Sequence, residues 1–217
     1  MAKTPIQPLP SGNVKVTRDD WLRVALDALV SDGVERVKVL HLGERLGVSR
    51  SSFYWYFRSR QDLLDALLKH WDETNTKALV DHAEQPAATI AAAVLNVFRC
   101  FLDPALFDTR LDFAVREWAR RSGKVRRVLD LSDAQRQAAL AEMFRRHGFE
   151  ELDAFTRARI LYYMQIGYNA ADLNEPMSER LKLAPTYILG FTGQAATDNE
   201  LSAHLHMMQS IERRDSP

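Results

Sequence analysis

"GVSRSSFYWYF", residues 47–57, sets Phe53, Tyr54, Trp55, Tyr56 and Phe57 in a row behind a turn glycine and a Ser-Arg-Ser-Ser run. A core helix is apolar throughout, and a solvated helix does not carry Trp beside two Tyr. The stretch therefore has to serve the protein interior and an outside partner at once. On a wheel of 3.6 residues per turn, Phe53 and Phe57 share one face. Ser51, Tyr54 and Trp55 fall on the opposite arc, with Arg50 at the N-terminal end and Ser52 beside them. The expected helix spans about 50–57 and starts from Ser49 as its cap. Gly47 closes a preceding short helix, about 39–46, because glycine enters the left-handed conformation of a helix C-terminus without steric cost. Two short helices around a tight glycine turn form the helix-turn-helix layout, whose second helix enters a DNA major groove. Arg bonds bidentately to guanine, Ser reaches base edges or phosphates, and Tyr offers a hydroxyl to phosphate and a ring to thymine methyls. Spacing alone leaves a second reading open, a core helix behind a coincidental turn.

The flanking sequence is helical in period. Leu22, Ala25, Leu26 and Leu29 recur at i, i+3, i+4 and i+7, behind Thr17, Asp19 and Asp20 as start signals. A fourth helix opens near Ser59–Asp62 and carries Leu63, Leu64, Leu67, Leu68 and Trp71. Beyond residue 82, longer helices are expected over about 86–102, 107–121, 124–147, 152–173 and 177–192, with breaks at Pro and Gly between them. No segment alternates with period two for long enough to make a strand. The fold class is all-α: an N-terminal three-helix helix-turn-helix module, then a larger helical body. The expected boundaries are a disordered arm over 1–14, rich in Pro, the DNA-binding domain over 15–60, and the helical domain over 61–217.

The 217 residues carry 29 basic and 29 acidic side chains, so the chain is not basic throughout. Residues 1–60 nevertheless hold ten Lys and Arg against six acids, and Arg45, Arg50, Arg58 and Arg60 stand with no acid between Glu44 and Asp62. Such a local field suits a polyanion and equally an ordinary solvated face. Cys100 is the only cysteine, which excludes an internal disulfide framework and fits a reducing compartment. The first residues lack the apolar run of a signal peptide, and no stretch approaches the length of a membrane span. A cytoplasmic protein without a membrane partner is expected.

Over about residues 17–68 the chain resembles the DNA-binding module of the tetracycline-repressor (TetR) family. The most specific portion is "LGVSRSSFYWYFRSRQDLL", residues 46–64. The resemblance implies a homodimeric, all-helical, ligand-responsive transcriptional regulator, most often a repressor. It makes Arg50, Ser51 and Tyr54 candidate base readers. Ser52, Trp55, Tyr56 and Arg60 become phosphate or sugar contacts, and Thr17 a phosphate contact from the first helix. Two positions depart from the family pattern. Lys38 stands where a Ser or Thr cap usually opens the second helix, although its charge suits phosphate, and Gly43 replaces a usual Ala.

The family precedent also implies a ligand pocket among the body helices, where apolar walls surround a few polar groups. Its candidates here are Trp71, Phe98, Phe113, Arg116, Glu117, Trp118, Tyr162, Gln165, Tyr168 and Asn169, with core packing as the competing explanation for each. "TRARILYYMQIGYNAADL" and "PMSERLKLAPTYILGFTG" resemble the two helices that pair with their mates in a four-helix dimer interface, about residues 152–192. The tail from Glu200 is expected to form a short extra helix. His204 and His206 lie two apart and project from different sides of a helix, a poor geometry for one metal. No Gly-rich phosphate loop, Ser elbow, His-Glu-x-x-His or Cys-x-x-Cys occurs. No metal, cofactor or catalytic constellation is therefore expected, and the protein is not read as an enzyme. The expected partners are a near-palindromic double-stranded operator, a second copy of the chain and a small-molecule effector. The alternative is a helical small-molecule carrier or protein-interaction module that no longer recognises DNA.

Overall fold

The computed structural model describes residues 16–171, 173 and 175–215, and every regular element among them is helical. The expected N-terminal arm, 1–14, lies outside the described residues. The chain divides into two compact units between Leu67 and Leu68, inside helix α4 (Arg60–Trp71).

In the first unit, α1 (Arg18–Asp32) opens with a capping box. The Thr17 hydroxyl accepts the Asp20 N–H, and the Asp20 carboxylate accepts the Thr17 N–H at 2.9 Å and its hydroxyl at 2.7 Å. These two bonds, with one from Arg23, hold the Asp20 carboxyl down at about 2. The buried stripe of α1 is Trp21, Val24, Ala25, Ala28 and Leu29. The seam thus sits one position before the expected one, and Leu22 and Leu26 are only half-buried. The reason is Trp21, whose ring meets Phe53 edge-on at 5.2 Å and so sets the helix rotation.

Helix α2 (Val39–Leu46) starts at Lys38 without a side-chain cap and ends at Gly47, which takes φ 67° and ψ 29°. Gly43 has a steric reason. A Cβ there would stand 3.1 Å from the Val48 carbonyl and 3.6 Å from the Trp21 ring, so the turn backbone passes too close for a comfortable side chain. Helix α3 is shorter than expected: only Arg50–Phe53 are α-helical, and Tyr54–Tyr56 form a tightened turn. Its N–H groups bond three residues back, Tyr54 to Ser51, Trp55 to Ser52 and Tyr56 to Phe53, before Phe57 returns to an i−4 bond with Phe53. This winding keeps both Phe rings inside, stacked at 5.3 Å. Ser49 occupies the cap position, but its hydroxyl pairs with Ser51 instead of an orphan N–H.

In the second unit, a single π-helical turn over Asp72–Thr76 leads into α5 (Lys77–Glu84), an element absent from the sequence reading. There follow α6 (Ile90–Leu102), α7 (Thr109–Ala119), α8 (Gly123–Arg146), α9 (Glu151–Ala171), α10 (Met177–Thr192) and α11 (Asp198–Asp215). Side-chain oxygens of Thr89, Asp108 and Ser122 cap α6, α7 and α8. The tail is not a short helix: α11 is 18 residues long and buries Met208 and Ile211. Helix α6 is the central pillar. Val94, Val97, Phe98 and Phe101 pack with Leu79, Leu140, Phe144, Leu161, Tyr162 and Ile188 from its neighbours. No helix among the described residues is long and apolar enough to cross a membrane.

Candidate nucleic-acid interface and body cavity

The α3 turn sorts its side chains by task. Phe53 is 0 % exposed and Phe57 is buried, while Tyr54 is 50 % and Trp55 85 % exposed. The exposed phenol and indole thus stand side by side on the outward arc of the turn. Arg50 and Ser51 are exposed beside it. The Arg50 guanidinium donates to the Tyr54 hydroxyl at 3.0 Å and lies 5.9 Å from that ring, so the two side chains form one donor-rich unit. Lys38 and Arg58 are exposed in the same module, and Arg18, also exposed, rests over the Phe57 ring at 4.9 Å.

Four sequence candidates bond the module's own backbone. The Tyr56 hydroxyl donates to the Val16 carbonyl at 2.6 Å, and Arg60 donates to the carbonyls of Val37 and Val34 at 2.5 and 2.7 Å. Thr17 is engaged in its capping box. Ser52 donates to the Ser49 carbonyl at 2.9 Å and is half-buried. A phosphate oxygen accepts and does not donate, so these side chains reach it only by sharing or releasing those bonds. Arg50, Ser51, Tyr54, Trp55 and Lys38 are free of that constraint towards the backbone.

The body candidates do not form one pocket. Trp71, Arg116 and Tyr162 belong to a buried polar cluster. Its centre is Arg136, 1 % exposed and lying over the Trp71 ring at 4.8 Å. Asp112 accepts from Trp71 Nε1 at 2.9 Å, Arg136 Nη1 at 2.8 Å and Arg116 Nε at 2.8 Å. Arg116 also forks onto Asp133 at 2.8 and 3.0 Å, and Tyr162 donates to Asp133 at 2.7 Å. Burial pushes the Asp112 carboxyl up, but the Arg136 and Arg116 guanidiniums overcome it and hold it below the usual carboxylate range. Burial pushes the Tyr162 phenol well above the usual phenol range, so it stays a neutral donor.

Phe98, Gln165 and Tyr168 line a different space, an apolar cavity among α6, α9, α10 and α11 of about 520 Å³ counting its open mouth. Asn169 meets this group through Gln165, which donates to it at 2.8 Å. Trp118 is buried, whereas Phe113 and Glu117 are exposed, and Glu117 pairs with Arg120 at 3.1 Å. The sequence reading missed Asp112 of α7 and Asp133 and Arg136 of α8, which are brought together only by the packing of the two helices, and it missed His204, which reaches the cavity from α11.

Comparison with known proteins places the helix-turn-helix segment among bacterial regulators. Residues 22–67 match the family described as bacterial regulatory proteins, tetR family. Tetracycline repressor protein class C of Escherichia coli is 42 % identical over 53 residues, 24 % of this chain and 24 % of that protein. The chain thus spans about a quarter of the length of the tetracycline repressors it matches. The nucleoid occlusion factor SlmA of Actinobacillus pleuropneumoniae is 28 % identical over 148 residues, 64 % of this chain and 66 % of that protein. The crystal structure of Mycobacterium smegmatis AmtR has the same fold, with a TM-score of 0.60 at 16 % identity, over 96 % of this chain and 100 % of that one.

Proposed function

We propose that this chain, whose residues 22–67 match the tetR family of bacterial regulatory proteins, is a DNA-binding transcriptional regulator of that family, a homodimeric repressor released from its operator by a small molecule. The observation that carries the DNA-reading part is the split of the α3 turn, with Phe53 and Phe57 inside and Arg50, Ser51, Tyr54 and Trp55 outside. In this reading Arg50, Ser51 and Tyr54 read bases, while Trp55 and Lys38 contact the backbone. Thr17, Ser52, Tyr56 and Arg60 serve chiefly to hold the module's shape, with phosphate contact secondary. Its place of action is the cytoplasm, where the DNA is.

Arg50→Ala is expected to lose about 1–3 kcal/mol of operator binding and to relax base preference at one pair in each half-site. Its melting temperature is expected to stay put, since the side chain is exposed and bonds only Tyr54. Operator titration by fluorescence anisotropy beside thermal unfolding tests both halves of this statement. Unchanged operator affinity would remove Arg50 from the interface.

A single α3 reads too few bases for a specific site, so two copies act through a two-fold axis. Support for α9 and α10 as the joining face comes from Leu152, Phe155, Ile160 and Tyr163 on one side of α9 and Leu183 and Tyr187 on α10, all exposed. Gly167 and Gly190 lie within these helices with nothing within 4 Å of a Cβ position. Each costs a helix about 1 kcal/mol relative to Ala, and close approach of a second copy would repay it. Ile160→Glu is expected to weaken dimerisation at least about a hundredfold, because it sets a charge in the apolar face that each copy would bury. Light scattering at micromolar concentration checks this. A parent chain that is monomeric, or a variant that stays dimeric, counts against this face.

A further inference from the structure

The cavity among α6, α9, α10 and α11 carries one polar atom without an internal bond. His204 is 6 % exposed, and its Nδ1 has no hydrogen-bond partner among the described residues. Most of the surrounding wall is apolar: Phe98, Leu102, Met164, Leu181 and Ala184 close around it. An unbonded imidazole nitrogen in such a place lowers stability, since burial without a partner costs the full desolvation of the group. Burial also pushes the His204 pKa down to about 4, so the ring is neutral at pH 7 and offers no charge.

The remaining polar lining groups are already matched to one another. Tyr168 donates to Glu175 at 2.6 Å, and Arg180 lies against the Tyr168 ring at 4.9 Å. One cation and one anion therefore share that end of the cavity, and the wall has no surplus charge to hold an ion. We propose that this cavity binds an uncharged, mainly apolar molecule bearing one hydroxyl or carbonyl oxygen, which completes the hydrogen bond of His204 Nδ1. Desolvation of the apolar body drives the binding, and the single polar contact orients it. Whether this ligand is the effector rests on the reading under Proposed function. The existence of the site does not.

The test uses 1-octanol and octanoate as probes on the full-length chain, by calorimetry at pH 7.5 without DNA. Octanol is expected to bind, and octanoate at least about tenfold more weakly. His204→Leu is expected to weaken octanol roughly tenfold, the value of one buried hydrogen bond. The same variant without ligand should melt no lower than the parent, because a stability cost has been removed. His204→Asn, which keeps a polar group near Nδ1, should recover part of the octanol affinity. A merely structural histidine would give the opposite pattern: a lower melting temperature in His204→Leu and unchanged octanol binding, which overturns the proposal. Octanoate binding as tightly as octanol, or octanol failing to bind up to its solubility, also overturns it. Octanol that binds but leaves a selected operator fragment bound would end the effector role and leave the site standing.

Discussion

Asp112→Ala is expected to cost about 3–5 kcal/mol of stability in the helical body. The carboxylate receives Trp71, Arg136 and Arg116, and Arg136 is 1 % exposed and pairs with no other carboxylate among the described residues. Removing it leaves a buried guanidinium without a counter-charge, which costs more than the net worth of the pair. Arg116 keeps Asp133, so the loss falls mainly on Arg136. The double variant Asp112→Leu/Arg136→Met, which deletes both charges, should regain much of the loss. Urea unfolding of the three proteins measures this. A loss below about 1 kcal/mol in Asp112→Ala would mean that the cluster is solvated and does not hold the body together. Acid should act in the same direction. The folded-state pKa of Asp112 lies below its unfolded value of 3.8, so its contribution is complete above that value and is lost as pH falls through the folded pKa.

Phe53→Ala is expected to cost the first unit about 3–5 kcal/mol. The ring is 0 % exposed, meets Trp21 edge-on and stacks on Phe57, so its removal leaves a cavity at the junction of α1 and α3. Two compact units make one melting temperature an ambiguous readout. Amide hydrogen exchange resolves them: protection over α1 to α3 should fall while α6 and α8 keep theirs. DNA binding would fail through loosening of the module, not through loss of a contact. Full protection in α1 would mean that the two faces of the turn have been assigned the wrong way round.

The parts of this fold that are legible in sequence are those decided by neighbours in the chain. Gly47 ends α2 where its backbone freedom predicts, and α2 and α10 occupy the expected spans. The length of α3 was not legible. Five successive aromatics read as one amphipathic helix, but Phe53 packs against Trp21 and Phe57 stacks on Phe53 with the tighter winding of Tyr54–Tyr56 between them. The rotation of α1 was hidden for the same reason, since Leu22 and Leu26 fit the helical period as well as Val24 and Ala28 do. Helix α5 went unread because the π-helical turn at Asp72–Thr76 interrupts the period that would have joined it to α4. Its bonds are long-range: Asp72 to Ser132, Asn75 to Asp108 and Thr76 to Arg136.

The candidate residues divide along the same line. The exposure of Arg50, Ser51, Tyr54 and Trp55 was legible because a helical wheel separates them from Phe53 and Phe57 within a few residues. Trp71, Arg116 and Tyr162 were expected in a pocket because aromatic and charged side chains mixed with apolar ones suit a ligand. They also suit a buried ion cluster, and only the positions of Asp112, Asp133 and Arg136 decide between the two. His204 carried no signal, since its isolation is a property of walls contributed by three other helices.

Selection of bound fragments from random double-stranded DNA at moderate salt, with the parent chain and with Arg50→Ala, shows whether the outward arc of α3 reads sequence. The parent is expected to enrich a near-palindromic sequence strongly, at least about a thousandfold over non-specific binding. Affinity for it should fall steeply with added salt, and Arg50→Ala should lose discrimination at one symmetric pair of positions. A folded, dimeric parent that enriches no sequence would contradict that reading of α3 and leave the body's cavity, as a small-molecule carrier, to explain the protein.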